Sequence, residues 1–149
     1  MRKITAVALV PVVIALYLTQ TAYAQGSGAT NVYRTQFFEM HAKVKTIFER
    51  AGRQGRSEPN HKARVSLREE ILALTKLIHR LEEEAARADL EGMERGRNSN
   101  KSLLLVAQGC KAMDFVLNAL DNYITTDDRS FLSLARDGDS LIKSIEKML

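Results

Sequence analysis

SLREEILALTKLIHRLEEEAARA, residues 66–88, decides the fold. Leu67, Ile71, Leu74, Ile78, Leu81, Ala85 and Ala88 recur at alternating steps of four and three, the rhythm that aligns side chains on one face of an α-helix. Between them stand Arg68, Glu69, Lys76, Arg80 and Glu82-Glu83-Glu84, so the remaining faces are solvated. A helix with a single apolar seam is marginal by itself and needs other helices to cover it. Ser66-x-x-Glu69 has capping-box spacing and marks the start, with Asn60 as the earliest alternative. After Ala88 the seam stops, and Glu91-Gly92-Met93-Glu94-Arg95-Gly96-Arg97 reads as a broken end followed by a loop.

The same rhythm recurs on both sides. Tyr33, Phe37, Met40, Val44, Ile47 and Ala51 form one seam, with Thr30 or Asn31 as its cap and Gly52 as its stop. Leu103, Val106, Cys110, Met113, Leu117, Leu120 and Ile124 form another, widened by Leu104, Leu105, Phe115 and Val116 into the most apolar arc of the chain, with Asn98, Ser99 or Asn100 as its cap. Phe131, Leu134, Gly138, Leu141, Ile145 and Met148 form the last, after the cap candidates in Thr125-Thr126-Asp127-Asp128. Four seams and short connectors predict an all-α antiparallel four-helix bundle, up-down-up-down, with helices at about 30–52, 61–91, 99–125 and 128–149. Gly109 and Gly138 fall inside helices, where they cost stability unless they mark close contacts.

Ahead of the bundle, Met1, Arg2 and Lys3 precede residues 4–18, a run without charge interrupted only by Thr5 and Pro11. That run is shorter than the ~20 residues of a membrane-spanning helix, and Ala22-Tyr23-Ala24 has the small-x-small pattern of a signal-peptidase site. The reading is a signal peptide over 1–24, cleaved after Ala24, then a flexible lead-in over 25–29 and a bundle domain over 30–149. The protein is thus expected in the periplasm or outside the cell. Losing Arg2 and Lys3 lowers the 22 basic residues to 20 against 18 acidic ones, so the pI near 9.3 carries no argument for nucleic acid. Contact with a membrane surface has no specific support. Cys110 is the one cysteine; an intrachain disulfide is excluded although the compartment allows one, and its place on a seam predicts a buried thiol.

Sites of chemistry are sparse. His41 and His79 stand beside the seam residues Met40 and Ile78, where half-buried surface histidines are expected. His79 with Glu82 and Glu83 has clamp spacing, but no second cluster completes a metal site. Glu58-Pro59-Asn60-His61 has di-iron spacing once, in a connector, where that chemistry needs it twice on helices. No Cys-x-x-Cys-His, nucleophile elbow or phosphate loop occurs, so neither enzyme activity nor a cofactor is expected. The notable asymmetry is basic: Arg50, Arg53, Arg56, Lys62, Arg64 and Arg68 share a stretch whose one acid is Glu58. In a bundle this turn lies beside Asp121, Asp127 and Asp128, so the stretch is either a docking patch for an acidic partner or a locally neutralised end.

The architecture resembles small exported helical proteins of Gram-negative bacteria, including accessory components of secretion machinery, without a shared motif. The leading expectation is an exported non-enzymatic interaction protein using a helix face or the basic turn on a protein partner, with homo-oligomerisation allowed. The alternative is a bundle binding a small ligand or metal around Met40, His79, Cys110 and Met113.

Overall fold

The computed structural model describes residues 27–54 and 61–149. The expected leader over 1–24, its cleavage point, and Arg56 in the segment 55–60 lie outside the described residues. Four helices make up the described chain: α1 (Ser27–Gln54), α2 (His61–Glu94), α3 (Lys101–Thr126) and α4 (Ser130–Glu146), with no strand among the described residues. Their packing is that of a helical bundle, and Tyr33–Leu149 forms one compact unit.

The α2 and α3 seams are buried as their rhythm predicts: Leu67, Ile71, Leu74, Ile78, Leu81 and Ala85 on one, and all seven positions from Leu103 to Ile124 on the other. Cross-helix pairs fix their direction. Arg64 meets Asp127, Arg68 meets Asp121, Glu82 meets Lys111, and Asp89 meets Ser99, so numbering rises along α2 as it falls along α3. By length and composition α3 could cross a membrane, yet 61% of its most apolar window is buried within the protein, as suits a core helix. It lies close to both α2 and α4. The cap is Asn100, whose Oδ1 accepts from the Ser102 and Leu103 amides at 3.0 and 3.4 Å. The formal glycosylation acceptor Asn100-Lys101-Ser102 is thus committed to a helix start.

Helix ends differ from the sequence reading in instructive ways. Residues 27–29, read as lead-in, belong to α1, so Thr30 and Asn31 lie inside the helix. α2 begins at His61, as the range 61–91 predicts, so Ser66 lies inside the helix and does not cap it. At its other end α2 runs through Gly92 to Glu94, past the expected break. Asp89 supplies the reason. Its buried carboxylate accepts from Ser99 Oγ at 2.9 Å and from the Asn100 backbone amide, tying the last turns of α2 to the cap of α3. Asp89→Ala should remove both bonds and lower stability by about 1–2 kcal/mol. Urea unfolding measures the loss, and an unchanged midpoint refutes the latch.

Two seams are rotated. In α1 the buried position is His41 rather than Met40, which is only partly covered. In α4 Ala135, Gly138, Ile142 and Ile145 are buried, whereas Leu134, Leu141 and Met148 of the expected seam are exposed. The two shifts have one cause. His41 bonds to Asp139 and Glu146, which lie two turns apart on one face of α4, and turning that face to α1 moves the buried arc of α4 by roughly 50°, so that Gly138 and Ile145 stay buried while Leu134 and Leu141 come out.

Both helix glycines mark close contacts. A Cβ on Gly109 would lie 2.2 Å from Phe37 Cε2, so the Phe37 ring of α1 fills the space over α3. A Cβ on Gly138 would lie 2.6 Å from Val116 Cγ2 and 2.9 Å from Phe115 Cδ1, which sets the register of α4 on α3.

Cys110 has no exposed surface, and burial, with Glu82 nearby, pushes its thiol up to about 12. A protonated thiol in the core neither attacks disulfides nor binds metal readily. Native protein should react with a thiol reagent such as DTNB on the order of a hundredfold or more slowly than unfolded protein. Equal rates before and after adding guanidinium would overturn that burial.

Candidate functional site

Three features merit scrutiny: the basic turn, the buried His41 cluster and the outer face of α3 and α4.

The basic turn is largely neutralised from within. Arg64 grips Asp127 at 2.8 and 3.0 Å and also donates to the Ile124 carbonyl, while Arg68 forks onto Asp121 at 2.7 and 3.3 Å. Arg50 makes a two-point contact with Glu70, and this hydrogen bond raises the Arg50 pKa; the Asp121 bond does the same for Arg68. Asp128 instead accepts from the Ser130 amide, which lowers its pKa and starts α4. Arg53 has only Glu49 of its own helix at 3.6 Å, and Lys62 is exposed. Of the five described members of the patch, three guanidinium groups thus already hold carboxylates. What the stretch offers a partner is correspondingly reduced.

His41 is wholly buried, which corrects its reading as a half-buried surface residue. Its Nε2 lies 3.0 Å from Asp139 Oδ1, its Nδ1 hydrogen-bonds Glu146 Oε1, and Lys143 Nζ lies 2.6 Å from Asp139 Oδ2. With a carboxylate on each ring nitrogen, the arrangement calls for a proton on both. Burial pushes the Asp139 carboxyl up, but the hydrogen bonds from Lys143 and His41 outweigh it, so the group sits below its ordinary value; the same bond holds Lys143 above its own. The cluster works as a buried tie between α1 and α4.

The interior ligand set does not assemble. Cys110 and Met113 are in the core, Met40 lies at its edge, and His79 is half exposed with its Nε2 3.1 Å from Asp114 Oδ1 rather than near Glu82 and Glu83. Among the described residues no three His, Cys, Asp or Glu side chains gather as a metal site. A shallow apolar groove of about 300 Å³ lies instead between α1 and α2, lined by Ile47, Leu74 and Leu77 with Lys43 and Glu70 at its rim.

The third feature follows from the rotation of α4. Leu134, Leu141 and Met148 stand at seven-residue spacing, 42%, 55% and 54% exposed, and Leu104 and Phe115 of α3 are 44% and 47% exposed. Phe115 touches the Gly138 position, which lies between Leu134 and Leu141 along α4. Around the stripe lie exposed Gln108, Asn118, Asn122, Ser133, Ser140 and Ser144, with the exposed charges Lys111 and Asp137 among them. Single exposed apolar residues are ordinary, but a continuous stripe across two helices is not. The sequence reading missed this surface because it assigned the residues to the interior.

Among the described residues, fold and surface define a small helical bundle with an apolar stripe exposed on α3 and α4. Comparison of the chain with protein-family models, with curated proteins and with solved structures finds no match in any of the three.

Proposed function

We propose that the chain is an exported, non-enzymatic interaction protein of the periplasm or extracellular space, an accessory component of an envelope or secretion apparatus, that meets a protein partner through the outer face of α3 and α4. The observation that carries the reading is the stripe of Leu134, Leu141, Met148 and Phe115 left in water, with a mostly uncharged polar rim in which Lys111 and Asp137 are the central charges. Export rests on the leader at 1–24. The basic turn is the weaker candidate, because Arg50, Arg64 and Arg68 are held by the protein's own acids.

A photo-cross-linking residue at position 141 should form adducts in the exported fraction, whereas one at exposed Arg80 on α2 should not. Arg53→Glu with Arg56→Glu should leave those adducts within about twofold. Adducts from position 80 alone, or a mature chain still beginning at Met1 in the cytosol by mass spectrometry, would defeat the proposal.

A further inference from the structure

Resting on that reading, we infer that the occupant of the α3/α4 face is a second copy of this chain, seated by a two-fold axis parallel to the helices. The register supplies the argument. Gly138 lies against Phe115 and Val116, and α3 and α4 run in opposite directions across their short connector. At 1.5 Å per residue, Leu104 is level with Met148 near one end of the face, and Phe115 is level with the stretch between Leu134 and Leu141. A two-fold axis along the bundle keeps these heights while exchanging left and right. It therefore lays α3 of one copy antiparallel on α4 of the other, with Leu104 against Met148 and Phe115 between Leu134 and Leu141. Every large apolar side chain of the stripe finds a counterpart, and four helices meet as in a bundle.

Charge agrees with this pairing. Lys111 and Asp137 are the central charges bordering the face, Lys101 and Lys147 stand near its Leu104/Met148 end, and Gln, Asn and Ser make up most of the rest. In the paired arrangement Lys111 lies level with Ser140 and Ser144, and Asp137 with Asn118, so neither central charge opposes a like one. A partner recognised through strong charge would find little to grip here.

Size sets the expected strength. The face is about 25 Å long and about two helix diameters, ~20 Å, wide, a flat footprint of roughly 500 Å² per copy. Standard interfaces use about 800 Å² per partner, so a footprint of this size fits a weak, reversible association.

Sedimentation equilibrium of the purified chain from about 1 µM to about 1 mM tests the inference. The weight-average mass should climb from one copy towards two. Leu141→Glu with Phe115→Glu should weaken association at least tenfold while leaving the helical circular dichroism unchanged. Arg80→Glu, a charge change on α2, should leave association intact. A single-copy mass at every concentration, or a dimer indifferent to Leu141→Glu and Phe115→Glu, overturns the second-copy inference. If the chain stays single while position 141 still cross-links to a different protein, the inference falls and the proposed interaction role stands. If association occurs as inferred but position 141 gives only adducts with itself, the inference stands and the role in a larger apparatus falls.

Discussion

Gly109→Ala is expected to lower the unfolding free energy by about 2–3 kcal/mol, although the same change on an open helix face raises it by about 0.5–1 kcal/mol. The sign is set by Phe37. A methyl at position 109 would stand 2.2 Å from Cε2 and 2.7 Å from Cζ of a ring with no exposed surface. Packing at interior density leaves no gap into which that ring can retreat, so either Phe37 leaves its rotamer or α1 moves away from α3. Movement of α1 is costly in turn, because it strains the ties of His41 to α4 and of Arg50 to α2. Chemical denaturation of Gly109→Ala, Phe37→Leu and the double variant gives the decisive cycle. The smaller side chain at 37 should tolerate the methyl, giving a favourable coupling of about 1–2 kcal/mol. Additive losses would mean that the glycine is there for another reason. Gly138→Ala makes a useful contrast: Phe115 is half exposed and can swing into water, so only buried Val116 resists.

The two middle helices were legible because their seams have no rival. On α2 and α3 every step of the four-three rhythm falls on an aliphatic side chain, Cys or Met, and all of those residues but the partly covered Ala88 are buried. The outer helices each carry two interleaved rhythms. On α1, Phe37, Met40, Val44 and Ile47 compete with Phe37, His41, Val44 and Phe48. On α4, Leu134, Gly138, Leu141 and Ile145 compete with Ala135, Gly138, Ile142 and Ile145. Choosing by hydrophobicity favours Met40, Leu134 and Leu141, and the structure takes the other set at these positions.

The missing criterion is polar satisfaction. A histidine can enter a core when its ring nitrogens find partners, and Asp139 and Glu146, seven residues apart on α4, are such partners. That pairing joins residues 98 and 105 positions apart and leaves no local trace. It also explains the exposed stripe, since one rotation both satisfies His41 and turns Leu134 and Leu141 to water. The basic turn was legible in outline for the opposite reason: once the order of helices is known, Arg64 and Arg68 are placed beside Asp127 and Asp121, as found. No corresponding rule in the sequence distinguishes a seam that covers a core from one that awaits another molecule.

His41→Leu is expected to cost about 2–3 kcal/mol at pH 7, with a loss that shrinks as the solution is acidified. Removing one partner of a wholly buried ion pair costs about 3–5 kcal/mol, and the smaller figure here reflects the 18% and 23% exposure of the Asp139 and Glu146 side chains. Leucine is close to histidine in size, so little of the loss comes from a cavity. Most of it comes from two carboxylates left facing an apolar side chain, although Asp139 keeps Lys143. The pH dependence follows from the depressed Asp139 pKa. A carboxyl whose folded value lies below its unfolded value of about 4 contributes stability that is fully present above about pH 5 and disappears as the pH falls through the folded value. The wild-type chain loses this contribution in acid. The variant keeps the part that Lys143 supplies and lacks the part that His41 supplies, and its neutral carboxyls tolerate partial burial better than ionised ones, so its deficit should narrow as the pH falls. Replacing the whole cluster, His41→Leu with Asp139→Leu and Glu146→Leu, should recover most of the neutral-pH loss, because an apolar contact of similar volume can match a buried ion network. Urea unfolding at pH 7 and pH 3 reads both effects. An equal deficit for His41→Leu at the two pH values, or a triple variant weaker than the single, would show that His41 holds α1 by shape and not by its two carboxylates.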